Sequence, residues 1–275
     1  MRNAAQRHLI AELGTLGATL VRFLYGLPYA VLFFYLVGLF TGFGIPEPNT
    51  KFFGWVLLGA LAQVAATALL LRTMQERNFA LGVAYSKTEI LQVAVFAFAF
   101  LGDPLTLPAI LAVISGTAGV LLISPPKGAF SSRTIALGLA SGAGFALSAV
   151  SYRGAALALG DTPFLMAAAA TLVAAQFLST LALGGWLFFT DLSSMQKVLK
   201  AWKASQLAGF MGAAASAGWF TAFAIEPVAH VRTLGLIELV FSYAVSLRLF
   251  RERLSGLELA GMALLALGVA LITLR

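Results

Sequence analysis

The sequence predicts an all-α fold, a polytopic bundle of membrane-spanning helices, on three observations. The 275-residue chain is 60% hydrophobic and 11% charged, with a mean hydropathy of +0.92, whereas a soluble domain is about 45–50% apolar and about 25% charged. Its apolar residues gather in stretches of roughly 20, the length that crosses the hydrocarbon core of a bilayer. And its two halves repeat: an offset of 149 residues aligns Ala80 with Ala229, Glu89 with Glu238, Asp103 with Glu252 and Gly119 with Gly268.

Nine spans are visible in chain order. The first, 15–42, ends before GIPEPNT (44–50), whose prolines cannot continue a helix. The second, 52–71, runs to the polar MQERN (74–78). The third, 79–101, stops at GDP (102–104), and the fourth, 106–124, at SPPKGAFSS (124–132). Spans at 134–158 and 162–190 follow, then TDLSSMQKVLKAWKAS (190–205), which suits one amphipathic turn on the membrane surface. The last three spans are 205–225, 229–249 and 255–274. The repeat divides the chain into an N-terminal half, 1–125, and a C-terminal half, 134–275, within one integral membrane domain.

The opening residues match the end of a span. SYRGAALALGD (151–161) resembles AQRHLIAELGT (5–15), so the chain is expected to lack a first helix and the intact protein to hold ten, as two repeats of five. The first fourteen residues have no continuous apolar core and do not read as a cleavable signal peptide. An odd number of helices per repeat requires the two repeats to insert in opposite senses. The basic residues alternate accordingly. Twelve fall on the side preceding the first visible span, four (Lys51, Arg153, Arg232 and Arg275) on the other, and only Arg22 and Lys87 within spans. That bias makes the richer side cytoplasmic.

The same distribution excludes other classes. The net charge is +7, but the basic residues form no dense patch interleaved with aromatics, so no nucleic-acid partner is expected. With no cysteine there is no disulfide or thiolate metal site, and neither a cofactor nor a metal is implied. His8 and His230 do not stand at motif spacing from a nucleophile or a metal ligand, which leaves an intramembrane enzyme the weaker expectation.

Ionisable residues inside spans are costly and mark candidate pathways. Glu89 and Glu238 stand first: at matched depths, a carboxyl group in low dielectric can load and release a proton. Tie points between helices are the competing reading. Lys87, two residues from Glu89, does not share its helix face and reaches either another helix, Glu238 included, or an interface. Tyr85, Glu89 and Gln92 fall on one stripe, as do Ser141, Phe145, Ser148 and Tyr152; Gln63 with Thr67, and Ser216 with Trp219, Phe220 and Phe223, make similar surfaces. Such stripes face protein or water rather than lipid. They either line a cavity for an amphipathic solute or serve as helix–helix contacts. Arg22 either neutralises an anionic substrate group, pairs with Glu89 or reaches the headgroups. His230 and Arg232 open a span and receive no role.

The motifs VRFLYGLP (21–28), FLGDPLT (100–106) and LFRERLS (249–255), with the small-residue helices AVISGTAGVLLIS (112–124) and AGMALLALGVALI (260–272), together resemble the drug/metabolite transporter superfamily, in particular its EamA-like branch. The resemblance covers nearly the whole chain. It implies a secondary transporter of small organic solutes, amino acids, metabolites or drugs, with a central cavity between the repeats, in a bacterial cytoplasmic membrane. The family usually keeps both termini in the cytoplasm, whereas the charge bias here puts the carboxyl terminus outside. A lipid or lipid-precursor flippase is the alternative function. The expected partners are a small-molecule substrate and the bilayer, with a homodimer compatible.

Overall fold

A computed structural model describes residues 13–14, 16–75, 86, 88–123, 132–237 and 255–273. Among these every regular element is helical. In chain order they are α1 (Leu27–Thr41), α2 (Thr50–Gln75), α3 (Glu89–Leu101), α4 (Leu107–Ile123), α5 (Ser132–Ala158), α6 (Phe164–Thr190), α7 (Leu192–Lys200), α8 (Trp202–Ile225), α9 (Val228–Gly235) and α10 (Gly256–Thr273). Among the described residues five helical stretches are long and apolar enough to cross a membrane: Leu16–Thr41, Thr50–Thr73, Ser132–Ala158, Phe164–Thr190 and Trp202–Ile225. Glu89–Leu101, Leu107–Ile123 and Leu259–Leu271 are shorter apolar helices. Large apolar side chains stand on the outside, Phe40 and Phe189 among them at 87% and 86% exposure. In water such a surface would drive aggregation; in lipid it is the solvated face.

The helix ends follow from local chemistry. Pro28, Pro163 and Pro227 stand at helix starts, where a missing amide costs nothing. Pro28 also breaks the first span. The helix entering from 16–24 turns at Tyr25–Gly26 and resumes as α1, because Pro28 has no N–H to return to the preceding turn. Asn49 serves two ends. Its Oδ1 accepts the Phe52 amide at 2.8 Å at the start of α2, and its Nδ2 donates to the Ala158 carbonyl at 2.6 Å at the end of α5. Gly102 closes α3 in the left-handed region (φ 69°), a conformation that a side chain disfavours.

The chain forms two compact units: residues 1–64 with 151–225, and residues 65–150 with 226–275. The first takes one segment from either sequence half; in the second, 65–150 runs from the first half into the second and 226–275 lies in the second. In the first unit α6 packs against α1 and α8, and the cluster of Leu20, Val21, Leu183 and Leu187 lies against Val198 of α7. In the second, α4 and α10 make the most extensive pairing. Glycines allow it: a Cβ at Gly119 would lie 2.7 Å from the Gly261 carbonyl oxygen, and one at Gly268 2.9 Å from that of Ala112. Close backbone approach through small residues is how helices gain contact where lipid tails match any apolar side chain.

The amphipathic segment expected at 190–205 is α7. Asp191 caps it, accepting the Ser194 amide at 3.0 Å and the hydroxyls of Ser193 and Ser194, while Lys197 and Lys200 occupy its last turn, where cations are favoured. The Ser194 hydroxyl and amide and the Ser193 hydroxyl hold the Asp191 carboxyl at about 2, below its ordinary 3.8. A depressed carboxyl stabilises the fold above its ordinary value and loses that contribution as pH falls. We therefore expect the Ser194 amide to lose hydrogen-exchange protection as pH falls from about 4 to about 2, and Asp191→Ala to lack that protection at all pH values. Equal protection in both proteins at neutral pH contradicts the cap.

Candidate functional site

The polar groups inside these apolar helices form a separate constellation in each compact unit. In the second unit the centre is Glu89. It opens α3, so its carboxylate stands in the first helical turn and not in the middle of an unbroken helix as the 79–101 span expects. Its Oε1 lies 3.2 Å from Nη2 of Arg232 on α9, with side-chain exposures of 17% and 26%. No donor is aligned on Oε1 as a hydrogen bond, so the approach is a charge contact. Arg232 keeps its proton at any physiological pH. It therefore holds a fixed positive charge that the carboxylate offsets where water is scarce.

Gln92 and Gly142 stand beside the start of α3. Gln92, one turn on, donates through Nε2 to the Thr88 hydroxyl at 3.3 Å and to the Leu139 carbonyl of α5 at 3.4 Å. The Gln92 Oε1 is buried without a hydrogen bond among the described residues. Gly142 of α5 lets the start of α3 come close: a Cβ there would lie 2.9 Å from the Ser86 carbonyl oxygen and 3.4 Å from the Glu89 amide nitrogen. Glu226, just before α9, and His230 on it approach to 3.7 Å. Ser141 is buried and donates to the Ala66 carbonyl at 3.0 Å, and Ser148 is buried on the same helix.

In the first unit the centre is Tyr152. Its hydroxyl donates to Oε1 of Gln63 at 2.6 Å, and its ring lies 4.6 Å from that of Phe220. Gly59 makes room for that ring, since a Cβ there would lie 2.7 Å from it. Trp219 and Phe223 pair at 5.9 Å. The neighbouring Arg153 is buried and donates to the Phe223 carbonyl at 2.8 Å. That oxygen is among the last of α8, where a cation meets both an open acceptor and the negative helix end. Arg22 packs along Gly212, with its Cγ 3.0 Å from where a Cβ would stand. At the break in the first span the Gln176 amide lies against Gly26, and its buried Oε1 has no hydrogen bond among the described residues.

The polar stripes thus divide. Gln63 and Tyr152 meet directly, as do Trp219 and Phe223, while Glu89 and Gln92 share the first turns of α3. Tyr85, Lys87 and Glu238 lie outside the described residues. Three residues went unassigned in the sequence. Arg232 carries the partner charge of Glu89, Arg153 is a buried cap rather than an interfacial cation, and Gln176 sits at the helix break. The sequence signal for Arg232 was a cation near the start of a span within an apolar context; nothing in the repeat marked it, since its counterpart at an offset of 149 is Val83.

The helices and their partly buried charge pair define a polytopic membrane protein with polar groups held among its apolar helices. Residues 3–124 match the model of the EamA-like transporter family. No curated protein matches the sequence. A solved structure described only as "Crystal structure of protein" superimposes with a TM-score of 0.70 at 18% identity, covering 98% of this chain and 94% of that one; at that identity the likeness concerns the fold alone.

The Tyr152–Gln63 bond is testable by itself. A double-mutant cycle of Tyr152→Phe and Gln63→Leu, read by unfolding in mixed micelles, is expected to give a coupling of about 0.6 kcal/mol, with roughly 1.7 kcal/mol as the ceiling. Strict additivity contradicts the bond.

Proposed function

We propose that this chain is a secondary transporter that carries a small organic solute across a bacterial cytoplasmic membrane by alternating access, with Glu89 in the substrate or proton pathway. The observation that carries the reading is the Glu89–Arg232 contact, 3.2 Å between partly buried side chains on apolar helices, in a chain whose residues 3–124 match an EamA-like transporter model. Intramembrane charges are retained where a pathway uses them. The short helices α3 and α9 and the broken first span suit such a pathway, since interrupted helices present polar backbone to a solute.

Two inverted repeats, 1–125 and 134–275, suit alternating access because one arrangement inserted both ways supplies an inward and an outward state. In support, the first compact unit takes a segment from either half. The basic residues assign the richer side to the cytoplasm. Glu238 is placed with Glu89 by the repeat, and Tyr152, Gln63 and Trp219 offer aromatic and amide surface to a planar solute.

The full chain in proteoliposomes, loaded with a metabolite mixture, should release at least one solute faster than empty liposomes do. Glu89→Gln leaves the Arg232 charge without its carboxylate, so that flux should fall by about an order of magnitude or more while the protein stays monodisperse. Release of no solute rejects the transporter reading; unchanged flux in Glu89→Gln rejects the role of Glu89. Scrambling of labelled lipids without solute flux would favour a flippase.

A further inference from the structure

We propose that the first unit holds one anionic phospholipid on its outer face, with the headgroup at Lys200 and Lys203 and one acyl chain in a groove between α1 and α8. The inference stands apart from the transporter reading. It rests on a gradation from charged to apolar along one face of α8. Lys203, Gln206, Phe210, Ala214 and Ala217 follow at steps of three or four residues, so they share one stripe of the helix.

The apolar end of that stripe is a recess. α1 brings the large side chains of Leu32, Phe33 and Leu36, while α8 sets only Ala214 and Ala217 beyond Phe210. The missing side-chain volume leaves an open groove of about 190 Å³ with an almost wholly apolar lining. Leu32, Leu36 and Phe210 are exposed along it. In a chain that spans a bilayer, such a surface meets acyl chains. Tyr29 stands at the near end. Its ring packs edge-on against Phe210 at 5.3 Å, and its hydroxyl donates to Oε1 of Gln206 at 2.9 Å. The Gln206 amide adds donors at the level where the ester groups of a lipid lie.

The other end is basic. Lys203 is exposed in the first turn of α8, its ammonium 5.5 Å over the ring of the exposed Trp202. An indole in that position suits the headgroup level. Lys200 ends α7 three residues earlier, and Lys197 stands in the same last turn. Between 188 and 210 the one acidic residue is Asp191, whose carboxylate is engaged by Ser193 and Ser194. Positive charge is therefore in excess and favours a headgroup with net negative charge over a zwitterionic one. The dimensions agree. From Lys203 to Ala217 the helix rises about 21 Å, and one leaflet is half of a bilayer about 40–45 Å thick with its headgroups. A second copy packed in the groove would bring the same lysines to the same level, like charge against like.

The test adds equal amounts of phosphatidylglycerol and phosphatidylcholine, with the same acyl chains, to the full-length protein in detergent micelles. Native mass spectrometry counts the lipid retained. One phosphatidylglycerol should be retained, about fivefold or more over phosphatidylcholine, since each lysine near an anionic headgroup contributes about that factor. The double variant Lys200→Gln, Lys203→Gln should bring the two lipids to parity. Ala214→Phe fills the groove and should lose both at an unchanged unfolding midpoint; Ala217→Leu repeats the test one turn on should Ala214→Phe not fold. Equal retention of the two lipids by the wild type overturns the proposal, as does an unchanged preference in the double variant or undiminished retention with the groove filled. Displacement of the lipid by inorganic phosphate would also overturn it, in favour of a free-anion site. A wild-type dimer that Ala214→Phe dissociates would overturn it in favour of an interface between copies.

Discussion

A charge inside an apolar bundle has to be answered by another charge, and here Arg232 answers Glu89. The structure of the second unit around that contact follows from this requirement. α3 begins at Glu89, α9 brings Arg232 against it, and the bare Cα of Gly142 lets α5 close on the same turn. Removing either partner would take away the charge contact that joins α3 to α9. Such a pair is weak evidence for stability, since an apolar replacement often packs as well.

Packing elsewhere relies on absence of side chain. α4 and α10 approach until a Cβ on Gly119 would overlap the Gly261 backbone, and Gly59 and Gly154 make room for the rings of Tyr152 and Trp55. Lipid gives helices no hydrophobic reason to associate, so shape and buried hydrogen bonds must do so. Asn49 and Arg153 add to this at the helix ends, each donating to a carbonyl near the end of another helix of the same unit.

Much of this architecture was legible in the sequence, and for identifiable reasons. Composition and apolar run length gave helices in lipid. Gly102 and the 190–205 segment announced a helix end and an amphipathic helix through local chemistry alone, whereas the turn before Pro28 was not read, the first span being drawn unbroken over 15–42. The polar stripe through Ser141, Ser148 and Tyr152 is buried, as its periodicity requires. Glu89 stood out because a carboxylate there is expensive. Its partner did not, because Arg232 sits 143 residues away and only tertiary structure joins them. For the same reason Arg153 was only counted among the four basic residues of the poorer side: its receiving carbonyl, that of Phe223, belongs to another helix. The division into two compact units was also hidden, since each unit is assembled from parts of both halves of the chain, far apart in sequence.

The most direct measurement of this account is the charge on Glu89 at rest. Infrared difference spectroscopy of the full chain in lipid, wild type against Glu89→Gln at neutral pH, isolates that one side chain. Compensation by Arg232 predicts the paired stretches of an ionised carboxylate. The carbonyl stretch of a protonated carboxyl group at rest would contradict it.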